Sequence, residues 1–216
     1  MAETVRVWDA PVRLFHWALV SLFFLSWWSA ENHDMELHRT SGLVVLGLLL
    51  FRIYWGLAGS RTARFTQFLR GPAAVLAYAR KAADEHPTDG HNPLGGWSVA
   101  ALLAALLGLT TAGLFAGNGD GGEAGPLAAV LSAEGARRAA DIHGTVFNVA
   151  LFLIGLHVLA IFFYQFLVGR DLVSAMITGN CERQLGEAVA DVRWSPVRAP
   201  AGLALVASVI WALSGG

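Results

Sequence analysis

Cysteine and charge are what this chain has least of. A single cysteine, Cys181, excludes an internal disulfide, a thiolate metal site and the Cys-x-x-Cys-His motif that attaches haem covalently. Charged residues fill only 14% of the 216 positions against 55% hydrophobic ones, and the mean hydropathy is +0.52. So little charge cannot coat a soluble domain of this length, and the composition is that of an integral membrane protein in a lipid bilayer. The formal net charge of −1 gives no electrostatic reason to expect a nucleic acid.

What is present in quantity is long apolar sequence. Four runs, at about 14–30, 40–58, 97–116 and 141–168, are each long enough to cross a bilayer as a helix, which predicts an all-α four-helix transmembrane bundle. The first run is read as a retained span: Trp28 stands where a signal peptide would want a small residue before cleavage after Ala30. Trp17 near one end and Trp27 and Trp28 near the other fit an aromatic belt. Residues 1–13 read as a short polar arm, 72–83 as a weakly amphipathic surface segment, and Gly117 to about Arg138 as a Gly-rich loop. Residues 180–216 read as a polar linker and a short fifth helix at about 201–214. Its apolar run of about fourteen residues falls short of the lower limit of about seventeen for a full span, and a half-inserted tail is the competing reading.

Basic residues are distributed unevenly between the two sides. Arg6, Arg13, Arg61, Arg64, Arg70, Arg80, Lys81, Arg170, Arg183, Arg193 and Arg198 share the side of the N-terminus, whereas Arg39, Arg137 and Arg138 lie opposite. The positive-inside rule therefore predicts a cytoplasmic N-terminus.

Orientation assigns a depth to each histidine. His143 and His157 share one helix; fourteen positions leave them about 40° apart around its axis and about 21 Å apart along it. His38 opens the second span from outside, at the depth of His143, and His16 enters the first from inside, at the depth of His157. Ionisable residues at such positions are functional hypotheses by default. Neutral imidazole is a good axial ligand for haem iron, and two per site leave no open coordination position, which suits electron transfer rather than oxygen activation. Gly42, Gly144 and Gly155 beside the ligands would let a flat macrocycle approach the backbone; helix–helix contact is the competing reading. His33, His86 and His91 fall in loops and read as solvated.

The segments RVWDAPVRLFHW, HRTSGLVVLGLLLFRIYWGLAGS, GHNPLGG before the third span and GRDLVSAMITG after the fourth resemble the bacterial cytochrome b561 and nickel-iron hydrogenase cytochrome b family, over residues 5 to about 179. The resemblance implies a multi-pass protein of the bacterial cytoplasmic (inner) membrane that binds two non-covalent b haems. Its ligands would fall on His16 and His157 for the inner haem and on His38 and His143 for the outer. It further implies electron transfer in a respiratory chain between membrane quinone or quinol and a redox protein on the periplasmic side, either a c-type cytochrome or a hydrogenase, with quinone oxidoreductase activity as an open question. The alternatives are a cytochrome b subunit anchoring a nickel-iron hydrogenase, a purely structural anchor, and a histidine-dependent metal-ion transporter, which the lack of buried carboxylates in the spans disfavours.

Supporting residues are less determined. Arg52, inside the second span, is a candidate partner for an inner-haem propionate, with snorkelling to the interface as the competing reading, and Arg39, Arg137 or Arg138 could serve outside. Asp9, Arg13, His91 and Asn92 on one side, and Glu31, His33 and Asp34 on the other, are the polar groups available to a quinone, and spacing distinguishes none of them.

Overall fold

Each of the four long helices starts at a polar side chain that precedes its apolar run. In the computed structural model, which describes residues 2–81, 92–119, 123–184 and 192–214, strand β1 (Ala2–Arg6) leads into α1 (Ala10–Glu31). Asp9 caps α1 by accepting a hydrogen bond from the Val12 amide at 2.8 Å, and Pro11 sits in the first turn, where no amide is needed. Helix α2 (Met35–Ala58) starts from Asp34, which accepts from the Leu37 amide at 3.1 Å. A 3-10 turn (Arg61–Ala63) and the short helices α3 (Phe65–Phe68) and α4 (Pro72–Lys81) follow. Asn92 then starts α5 (Pro93–Phe115), and Ser132 starts α6 (Ala133–Phe162), which ends in a π-helical turn, Phe163–Leu167. Helix α7 (Leu172–Thr178), strand β2 (Asn180–Gln184) and α8 (Arg198–Leu213) complete the described chain.

Among the described residues α1, α2, α5 and the stretch Ala133–Leu167 are long and apolar enough to cross a membrane, and the fold is the expected all-α membrane bundle. The caps carry each helix back beyond its apolar run, by about two turns in α6. Helix α1 packs on α2, α2 on α5 and α5 on α6. Between α1 and α6 the contact is aromatic: Phe23 stacks on Phe147 with centroids 6.1 Å apart. The central core joins Phe15 and Phe23 of α1, Val45 and Leu49 of α2, Leu103, Leu106 and Leu109 of α5 and Ala150 of α6.

The arm and the linker differ from expectation. Residues 2–6 and 180–184 form an antiparallel pair, with Val5 opposite Cys181, so the two polar segments zip together on one face of the bundle. Four crossings return the chain to the face it started from, which is why the two segments can meet. The amides of Val7 and Trp8 both donate to the Gly179 carbonyl, at 2.7 and 3.1 Å. Gly179 has φ of +89°, and a Cβ there would lie 2.7 Å from the Trp8 carbonyl oxygen, so only glycine fits. A second core forms beneath this clasp from Val7, Trp8, Val12, Phe51, Trp55, Ala63, Ala175 and Ala199.

Helix α8 starts at Arg198 and runs along α2, with Val206 and Ile210 over Gly47 and Gly202 against Tyr54. The Tyr54 hydroxyl donates to the Arg198 carbonyl and the Arg198 guanidinium to the Ala58 carbonyl, each at 3.1 Å. Its sixteen residues cover about 24 Å, short of a bilayer core of about 30 Å.

Candidate functional site

The far side of the bundle, away from the clasp, brings His38 of α2 and His143 of α6 together, with ring centroids 6.0 Å apart and planes at 90°. The Nδ1 of His38 lies 2.8 Å from the Ser26 carbonyl oxygen and 3.2 Å from the Ser26 hydroxyl. The Nδ1 of His143 lies 2.8 Å from the Leu109 carbonyl oxygen. A carbonyl can only accept, so both Nδ1 atoms carry the proton and both Nε2 atoms carry the lone pair. The rings border a cavity of about 340 Å³ whose walls include Phe23, Leu106, Leu109 and Phe147, with Gly42 and Gly144 beside the histidines. A Cβ on Gly42, Gly144 or Gly155 would meet no atom within 4 Å. These glycines face open space rather than a helix contact.

On the clasp side, His16 of α1 and His157 of α6 are close enough to interact electrostatically. The His16 ring stands edge-on to Trp17 at 4.9 Å, and its Nδ1 is buried without a hydrogen-bond partner among the described residues. A buried ring nitrogen without a partner is rare in proteins, and it marks this ring as one to be explained. Among the described residues no group of three or more His, Cys, Asp or Glu converges, and the rings of His38 and His143 lie side by side.

The donor set fits haem b. Two imidazoles on different helices, their tautomers fixed by carbonyls behind them and their lone pairs directed away, are the chemistry of a closed bis-histidine iron, and an apolar cavity floored by glycine suits a flat macrocycle. The fit is most complete at His38 and His143.

Arg52 is 3% exposed; its guanidinium donates to the Ala63 carbonyl at 3.2 Å and lies 5.2 Å over the Phe65 ring and 6.0 Å from the Phe68 ring, with the Asp9 charge near it. It is turned inward beneath the 61–68 segment rather than out to the interface. Asp9 is fully engaged, accepting from the Val12 amide and from Trp55 Nε1, each at 2.8 Å. Arg13 donates to the Ile177 carbonyl at 2.6 Å. Arg39 donates to the Met35 and Ala124 carbonyls, and Arg138 pairs with Glu134. Arg137 lies against Gly119. Glu31 accepts from Trp27 Nε1 at 3.3 Å, Asp34 is the α2 cap, and His33 is exposed at φ of 60° in the turn between α1 and α2. Asn92 donates to the hydroxyls of Tyr78 and Tyr164, each at 2.9 Å, tying α4 and the π-turn to the start of α5. His86 and His91 lie outside the described residues.

Three supports of the site escaped the sequence reading: the carbonyls of Ser26 and Leu109, and Gly113. No side-chain pattern announces a carbonyl. Gly113 was within reach, because α5 ends on the far side and depth matching would have set it opposite His143. The family model that matches the chain is that of prokaryotic cytochrome b561, over residues 7–179. No curated protein and no solved structure matches.

Proposed function

The chain belongs to the prokaryotic cytochrome b561 family, and from that premise we propose that it transfers electrons between membrane quinone and a redox protein at the outer face, holding two b haems. The family and the four spanning helices make it a multi-pass membrane b-type cytochrome of electron transport; the haem count, the quinone and the outer partner are our reading. Bound haem b supplies a one-electron iron couple.

In this reading His38 and His143 hold the haem near the outer surface, and His16 and His157 hold the one near the cytoplasm, with the N-terminus inside. The observation that carries it is the His38–His143 pair: rings 6.0 Å apart with both Nδ1 atoms committed to carbonyls. Arg52 makes a single hydrogen bond among the described residues and keeps further N–H donors, so it stands as the proposed partner for a carboxylate of the inner haem. The outer redox protein would be a c-type cytochrome or a hydrogenase.

The test is an anaerobic reduced-minus-oxidised absorption spectrum of the detergent-purified protein, with extracted haem counted per chain. Two non-covalent b haems are expected. None, or one, in protein shown to be folded overturns the four-histidine scheme.

A further inference from the structure

The two histidine pairs differ in what stands behind the rings. At His38 and His143 both Nδ1 protons are taken by main-chain carbonyls, of Ser26 and Leu109. At His16 the Nδ1 is buried with no partner among the described residues. A carbonyl that draws the Nδ1 proton raises the basicity of Nε2, and a more basic ligand favours the oxidised, more positive iron.

Gly113 makes the arrangement possible at His143. A Cβ at this position would sit 3.0 Å from both Cε1 and Nδ1 of the His143 ring. The ring therefore lies directly against the backbone of α5, and the Leu109 carbonyl, one turn earlier on the same face, comes within reach of Nδ1. Gly108, on the same helix, is unlike it: a Cβ there would meet only Val146 Cγ1, at 3.8 Å, an ordinary contact.

We propose that Gly113 is a positioning residue that seats His143 on the Leu109 carbonyl, and that this contact, with the Ser26 carbonyl behind His38, makes the outer haem the lower-potential one of the two. This rests on the two-haem reading above. A methyl at position 113 makes the ring give way by a few tenths of an ångström, which lengthens the Nδ1–carbonyl hydrogen bond, weakens the ligand and raises the potential of that haem alone.

The experiment is an anaerobic potentiometric titration of the full chain in detergent, haem counted beforehand, with each haem's α-band assigned from the single-haem variants His38→Ala and His157→Ala. In the wild type, the haem missing from the His38 variant should titrate at the lower potential. Gly113→Ala should shift that potential upward and leave the other in place, while Gly108→Ala should move neither. Two haems with the outer one titrating higher overturn the proposal, as does a Gly113→Ala protein with both potentials unchanged or both shifted equally. If Gly113→Ala loses the outer haem altogether, the wild-type order of potentials decides by itself. A haem count other than two strikes instead the reading on which the proposal rests.

Discussion

The far-side and clasp-side histidine pairs draw on one helix, α6, at two depths, yet they are built on different principles. The far-side pair sits over an open apolar cavity, and its rings are fixed one by one by carbonyls of neighbouring helices. The clasp-side pair sits beside layered tertiary structure: the β1–β2 ribbon, the Asp9–Trp55 hydrogen bond, the inward-turned Arg52 and the core around Phe51 and Trp55. Identical residue pairs therefore do not mean identical sites. One histidine pair is positioned by carbonyls of neighbouring helices, the other by a fold assembled from both ends of the described chain.

The strongest way to break this comparison is to remove one histidine at a time. His38→Ala should eliminate one haem and His157→Ala the other, each leaving a chain with half the pyridine-haemochrome signal; both variants losing the same haem would dissolve the pairing. Next in size, Asp9→Ala leaves the Trp55 indole N–H buried without its acceptor and α1 without its cap, a cost of about 1–3 kcal/mol for the orphaned donor alone. It should lower the thermal midpoint and loosen the clasp-side haem first, and equal loosening of both haems would argue against separate construction. Ala150→Leu probes the midpoint. Ala150 is 0% exposed and lies seven residues from each of His143 and His157, so a larger side chain should overpack the shared core by about 1–3 kcal/mol and disturb both haem spectra together.

The smallest effect sharpens the clasp side alone. Asp171 caps α7 by accepting from the Ser174 amide at 3.0 Å, and hydrogen bonding to Ser174 holds its carboxyl below the ordinary carboxylate range. Because the folded value is the lower one, its contribution is present above the ordinary value and is lost as pH falls through the folded one. Acidification below about pH 4 should fray α7, seen as faster amide exchange at Leu172–Thr178. Asp171→Asn should flatten that dependence, and an unchanged pH profile in the variant would show the cap to be idle.

Much of this architecture was legible in the sequence because its signals are local or periodic. Hydropathy runs gave the four helices, and fourteen-residue spacing on one helix, joined to the Arg and Lys bias, sorted four histidines into two depths. The helix starts were also written in the chain, as Asp9 before Pro11, Asn92 before Pro93, and Ser132, but hydropathy pulled the boundaries inward. The β1–β2 pairing was not legible, since two five-residue segments, one of them mostly polar, carry no alternation that would name a partner so far away in sequence. Nor was the choice among glycines. Gly42 and Gly144 lie near His38 and His143 in sequence, while Gly113, which lies against the His143 ring, neighbours it only in space.

The clasp has a consequence for biogenesis. Strand β1 is made before the four spanning helices, and its partner Asn180–Gln184 follows only after roughly 175 further residues, when all four have been synthesised. Until then Val7 and Trp8 can pack only on the earlier-made part of their core, Val12, Phe51, Trp55 and Ala63, so a chain stalled after α5 carries an unpaired strand over an incomplete core. The ribbon can therefore close only once α6 and α7 have been made.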